Sequence, residues 1–215
     1  MGYGHPPGDP GVEFGRRELL DLAAAWIALS LAFTLFLQPR ALRQGAAEVL
    51  AVDLGINLAT VGVAFLLHEL AHKVIAVRFG QMAAFRADYN MLFLAVMGGF
   101  IGFIFAAPGA VYHRGRITAR ENGLIALAGP VTNLVLAAVF AAIGLGLVAD
   151  GGRLASRGVS INLFLAAFNM LPVGPLDGKS VLGWNPVVFT VVFLPSLALG
   201  LAVFVGAFGL GLRPT

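Results

Sequence analysis

The chain contains no cysteine, so disulfides and thiolate ligands are excluded, and any zinc must sit on His, Asp or Glu. Charge is scarce as well. Only 12% of the 215 residues are Asp, Glu, Lys or Arg, against about 25% in soluble domains. The few bases give a net charge of +3 and a pI near 9.8, but they are scattered between apolar runs. No basic stripe with interleaved aromatics is present, which argues against nucleic acid as a partner. No short apolar region followed by a small-residue cleavage site opens the chain, so a cleaved signal peptide is not expected. No repeat, linker or second domain is evident either.

What remains is apolar. The chain is 59% hydrophobic with a mean hydropathy of +0.88, the composition of an integral membrane protein. Residues Met1 to Glu18 are polar and Gly/Pro-rich and read as a flexible tail; His5 in that tail is not assigned to a metal. Residues 19–215 read as one polytopic membrane domain. Its apolar runs are Leu19 to Leu37, Ala51 to Val77, Gly123 to Val148, a span beginning at Gly158, and Val187 to Leu212. Each of the complete runs is about the length needed to cross a bilayer. Met91 to Tyr112 is different. It is apolar but broken by Gly98-Gly99, Gly102 and Pro108-Gly109, and the segments flanking it, Ala83 to Asp88 and Gly109 to Arg114, are short enough to be strands. The expectation is therefore an all-α integral membrane protein with five to six transmembrane helices and a re-entrant, β-hairpin insertion after the second.

The second run carries His68-Glu69-Leu70-Ala71-His72. Chance produces His-Glu-x-x-His in this composition about 0.002 times per chain, so the match carries weight. On a helix His68 and His72 share one face and can hold one metal ion, while Glu69 lies about 100° round from His68 and about 60° from His72. From there a carboxylate can reach a water beside the ion without ligating it. Ionisable groups at membrane depth are costly and mark function. Asn57, Val61, Ala64, His68 and His72 follow at three- or four-residue steps and read as a single face. Lys73 and Arg78 close the helix and read as snorkelling toward headgroups. Trp26 reads as lipid-facing or interfacial.

A catalytic zinc takes three protein ligands and keeps one position open, so a third ligand is needed. Asp21 lies at a helix start, Asp53 at the far end of the second span and Asp88 in a loop, whereas Glu121 and Asp150 lie in polar connections. Asp177, after the helix-breaking stretch Asn169-Met170-Leu171-Pro172-Val173-Gly174-Pro175-Leu176, is the one acid expected at the depth of the two histidines. If Met91 to Tyr112 returns to its starting side, seven Arg (16, 17, 78, 86, 114, 116, 120) face four (40, 43, 153, 157). That imbalance puts the N-terminus, the His pair and Asp177 toward the cytoplasm.

These blocks together, His68-Glu69-x-x-His72 in one span, Ala128-Gly129-Pro130 in the next, and Asn169-x-x-Pro172 leading to Leu176-Asp177-Gly178, resemble the site-2 protease family of intramembrane zinc metalloproteases. The resemblance covers 51–178. It implies one Zn2+ on His68, His72 and Asp177, Glu69 as catalytic base and Asn169 near the scissile carbonyl. It implies hydrolysis of a transmembrane protein substrate in the lipid bilayer of the cell membrane; a homo-oligomer is compatible with the sequence. Two departures from the family are visible: a long insertion at Asn90 to Ala107, and no regulatory domain. Two other classes compete. A metal- or proton-coupled transporter would also need His and Asp at depth, but with polar groups right across the bilayer and often an inverted repeat. A catalytically dead scaffold would not need an intact His-Glu-x-x-His.

Overall fold

A computed structural model describes residues 11–103, 108–146 and 152–206; His5, Asp150 and the ends of the third and last apolar runs lie outside the described residues. Helix α1 (Arg16–Leu37) is followed by the short α2 (Pro39–Gln44), which Gly45 ends at φ +64°. A 32-residue helix follows, made of α3 (Ala47–Asn57), one π-helical turn (Leu58–Gly62) and α4 (Val63–Arg78). Strand β1 (Met82–Ala87), helix α5 (Tyr89–Ile101) and strand β2 (Gly109–Arg114) come next. The remainder is α6 (Ala119–Gly146), α7 (Gly152–Asn169), α8 (Asp177–Trp184) and α9 (Pro186–Val205).

The chain is thus a helical membrane protein. Among the described residues four helices are long and apolar enough to cross a bilayer: α1, α3 to α4, α6 and α9. Helix α7 has 18 residues, but Arg153, Arg157, Ser160 and Asn162 lower its hydropathy, and Ser160 and Asn162 are buried.

The insertion forms as the sequence suggests. β1 and β2 pair antiparallel from Met82↔Arg114 to Ala87↔Gly109, so the chain between them must return to the side it left. Asp88 caps α5 by accepting from the Asn90 and Met91 N–H groups. The 13 residues of α5 reach about 20 Å, short of the roughly 30 Å of a hydrocarbon core. α5 lies close against α1, where a side chain on Gly99 would overlap the Ala32 carbonyl. Leu22, Ala25, Leu29 and Phe33 of α1 pack with Phe65 of α4, Phe85 of β1 and Leu92 of α5. This core fixes the hairpin beside the His-bearing helix.

Three expectations change. Arg16 to Glu18 are not tail but the first turn of α1, and Glu18 is 2% exposed. Lys73 does not snorkel. It too is 2% exposed, with its Nζ 2.6 Å from Glu18 Oε2 and 3.9 Å over the Phe14 ring. A buried charge costs several kcal/mol unless paired, and each of these two supplies the other's partner. Glu18 Oε1 also accepts from the Phe85 N–H at 3.0 Å, which ties α1, α4 and β1 together just beyond His72. The single face from Asn57 to His72 is the third. The π turn splits it, so Asn57 faces Thr34 and Arg157 while His68 and His72 face α6.

Candidate metal centre

The helix α4 presents His68 and His72 four residues apart, and their Nε2 atoms stand 2.9 Å from each other. Both rings are held from behind. His72 Nδ1 is 2.7 Å from the Ile125 carbonyl oxygen of α6, which can only accept, so Nδ1 carries the proton. His68 Nδ1 is 2.6 Å from Asn133 Oδ1. The amide of Asn133 is oriented by its own donations, from Nδ2 to Ala64 O and to Asn162 Oδ1, so it accepts from His68 as well. Each neutral imidazole protonated on Nδ1 has its lone pair on Nε2. Two lone pairs therefore point at one another in a buried site.

The carboxylate of Asp177 completes the set, with Oδ2 at 3.3 Å from His68 Nε2 and 3.4 Å from His72 Nε2. Asp177 reaches them because the helical hydrogen bonding stops at Asn169 and restarts at Asp177. Pro172 and Pro175 cannot extend a helix here, Gly174 turns the chain at φ +57°, and Gly178 lies so close under Met170 that a side chain would overlap the Met170 carbonyl. A carboxylate in the first turn of α8 is also favoured by the helix dipole. Three potential ligand atoms within 4.8 Å of one another are an arrangement that a cation stabilises. Ligand atoms at 2.0–2.2 Å from a tetrahedral ion stand roughly 3.3–3.6 Å apart; the two His–Asp177 separations match, and the two Nε2 atoms, at 2.9 Å, would part slightly around an ion. The residues fit zinc, with three ligands and one position left over.

Space for the ion depends on Gly129. A Cβ there would fall 2.5 Å from His68 Nε2 and 2.5 Å from His72 Nε2. Gly129 and Asn133 are one turn apart on α6, so one stripe of that helix leaves the room and supplies the brace.

Glu69 lies beside the ligands, 9% exposed, and outside the three-residue group; its carboxyl faces the Val111 backbone N–H of β2. Asn169 lines the same cavity of about 260 Å3, with one amide N–H donated back to Leu165 O at 3.0 Å. Phe33, Phe65, Phe164 and Phe168 wall the apolar side, and Gly109, Ala110 and Val111 form another edge. Asn122, Pro175, Leu176 and Ser180 also line an outer cleft of about 500 Å3, so the cavity continues outward past α8.

The other acids considered as ligands are engaged elsewhere. Asp21 accepts from Tyr89 Oη at 2.8 Å, Asp53 pairs with Arg157 at 3.2 Å, Asp88 caps α5, and Glu121 accepts from Thr118. Asp150 is outside the described residues. Asn133 is the residue whose part the sequence did not reveal. Its signal was an amide in the apolar part of α6, one turn beyond a glycine.

Over 187 residues the chain is 40% identical to "Putative zinc metalloprotease MJ0611" of Methanocaldococcus jannaschii, which covers 85% of this chain and 92% of that protein. It is 32% identical over 143 residues to "Putative zinc metalloprotease YwhC" of Bacillus subtilis, across 57% of this chain and 65% of the relative. With "Putative zinc metalloprotease Rip3" of Mycobacterium tuberculosis it shares 34% over 122 residues, 53% of this chain and 26% of the longer protein. No family model matches the chain, and no solved structure does.

Proposed function

Because the chain belongs to a site-2 protease-like family of zinc metalloproteases, we propose that it hydrolyses peptide bonds within or near the transmembrane segments of membrane-anchored proteins. One observation carries this reading. His68, His72 and Asp177 converge beside Glu69 within a bundle whose helices are suited to a bilayer. We put the catalytic end toward the cytoplasmic side, on the count of seven Arg against four.

In this reading His68 Nε2, His72 Nε2 and Asp177 Oδ2 hold one Zn2+. When bound, the ion acts as a Lewis acid on the peptide carbonyl and makes water a better nucleophile near neutral pH. Glu69 takes the proton of the attacking water on a carboxylate oxygen and returns it to the leaving amine nitrogen. Asn169 keeps one N–H on Leu165 O, and the second is available to an oxyanion. Asn133 and the Ile125 carbonyl keep both imidazoles in the tautomer that presents Nε2.

A cavity of about 260 Å3 is too small for a helix 10–12 Å across, so the substrate must enter unwound. β2 offers a template. Phe85 and Val111 are paired across the hairpin, yet the Phe85 N–H goes outward to Glu18 and Val111 faces Glu69. This pair therefore does not exchange ladder hydrogen bonds, and the outer groups of Gly109 and Val111 face the cavity. An extended substrate can add there as a strand. Val111→Pro removes the donor and is expected to lower kcat/KM at least tenfold with zinc content unchanged; cleavage at the wild-type rate would remove the strand-addition step.

The central test incubates the purified chain with a single-span substrate in detergent and counts zinc per chain. Wild type should cleave and hold one zinc. Asp177→Asn should lose most of its zinc and its cleavage, since an amide is a far weaker ligand. Zinc flux across vesicles without any proteolysis would favour the transporter instead.

A further inference from the structure

The helix that carries the His pair is not a plain α-helix. Five residues, Leu58–Gly62, form a π turn between α3 and α4. Such a turn holds one residue more than an α-turn, so everything beyond it is rotated by about 100° from where an uninterrupted helix would put it. Asn57 and His68 are 11 positions apart, and in an uninterrupted helix they would differ by only about 20°. In the structure they serve different neighbours. Asp53 and Asn57 face Gln38, Thr34 and Arg157, through bonds of 2.8–3.3 Å, whereas His68 and His72 face Asn133, Ile125 and Asp177. An unbroken helix could satisfy one set or the other.

A π turn in apolar surroundings needs outside support for its loosened backbone. The indole of Trp26 provides it. Its Nε1–H donates to Leu58 O at 2.9 Å, and Ser30 Oγ lies 3.3 Å from Asn57 O. The fit is shaped for the ring, because a side chain on Gly62 would overlap the Trp26 indole. Trp26, which the sequence reads as lipid-facing or interfacial, is half-buried and has this contact within the bundle as well.

We infer that Trp26 is a positioning residue for the hydrolysis: its indole N–H holds the π turn at 58–62, and that turn aims His68, Glu69 and His72 at Asp177. The inference rests on the reading of this site as a zinc protease. Without the indole N–H, the turn relaxes toward regular helix, and either the Asn57 face or the His face is misdirected.

Trp26→Phe keeps an aromatic ring and deletes the donor. It is expected to reduce kcat at least tenfold with little change in KM, and to lower zinc per chain after gel filtration. The decisive partner is deletion of Ala59, which removes the extra residue. The helix can then run as plain α while Asn57 and His68 keep their present faces, so no indole support is needed. Trp26→Phe combined with the Ala59 deletion should recover most of the zinc and the cleavage lost by Trp26→Phe alone. Wild-type zinc and turnover in Trp26→Phe would overturn the inference. So would a double variant no better than the single one, since a residue that acts only by packing gains nothing from the deletion. A wild-type chain that retains zinc but cleaves no substrate defeats the protease reading instead, and zinc retention across the three variants then still decides the part played by Trp26.

Discussion

Glu69→Gln is expected to abolish measurable peptide hydrolysis and leave zinc in place. Glu69 is next in sequence to a ligand, but its carboxyl is outside the group formed by His68, His72 and Asp177. The amide is isosteric, so the local packing survives. What it cannot do is take a proton from water and deliver it to an amine. Loss of a positioned general base costs about 100- to 10,000-fold in rate. The measurement pairs the initial rate on a single-span substrate with zinc per chain. Retention of cleavage to within tenfold of wild type would assign the proton transfer to another group, and loss of zinc would make Glu69 a ligand.

The parts of this site that were legible in the sequence are those set by local geometry or by scarcity. His68 and His72 share a helix face because they are four residues apart, whatever they pack against. Asp177 was legible because acids are few, and the structure gives Asp21, Asp53, Asp88 and Glu121 other partners. The hairpin was legible because glycine and proline bound two short segments. Contacts between distant positions were not. Nothing near Lys73 announces that Glu18, in a segment that reads as tail, will neutralise it. Asn133 stands out as polar in an apolar helix, yet its partner His68 lies in another span. The π turn left no trace for a simpler reason. Between Asn57 and His68 only Thr60 is polar, so no alternation of polar and apolar positions marks where the phase slips. Asn57 and His68 therefore read as one face, and Trp26 as a ring for lipid.

Gly129→Ala is expected to empty the metal site without unfolding the chain. The added Cβ would stand 2.5 Å from His68 Cε1 and 2.5 Å from each Nε2, closer than carbon and nitrogen can approach. Helix α6 cannot simply retreat, because the Asn133 bond to His68 and the Ile125 bond to His72 join it to those same rings. Either the helix moves and the imidazoles lose their braces, or the rings turn away from Asp177. Disturbing such outer contacts typically costs 10- to 100-fold in metal affinity, and here the methyl also intrudes among the ligand atoms, so a loss at or above the upper figure is expected. The helix itself should not suffer, since alanine favours it over glycine by about 1 kcal/mol, while overpacking costs about 1–3 kcal/mol. Zinc content and cleavage should therefore collapse while thermal stability of the metal-free protein changes by only a few degrees. Gly146→Ala on the same helix, with nothing within 4 Å of its Cβ, is the control and should match wild type. If Gly129→Ala bound zinc and cleaved substrate as wild type does, the ion would have to sit away from the His pair, and the site assigned to His68, His72 and Asp177 would fall with it.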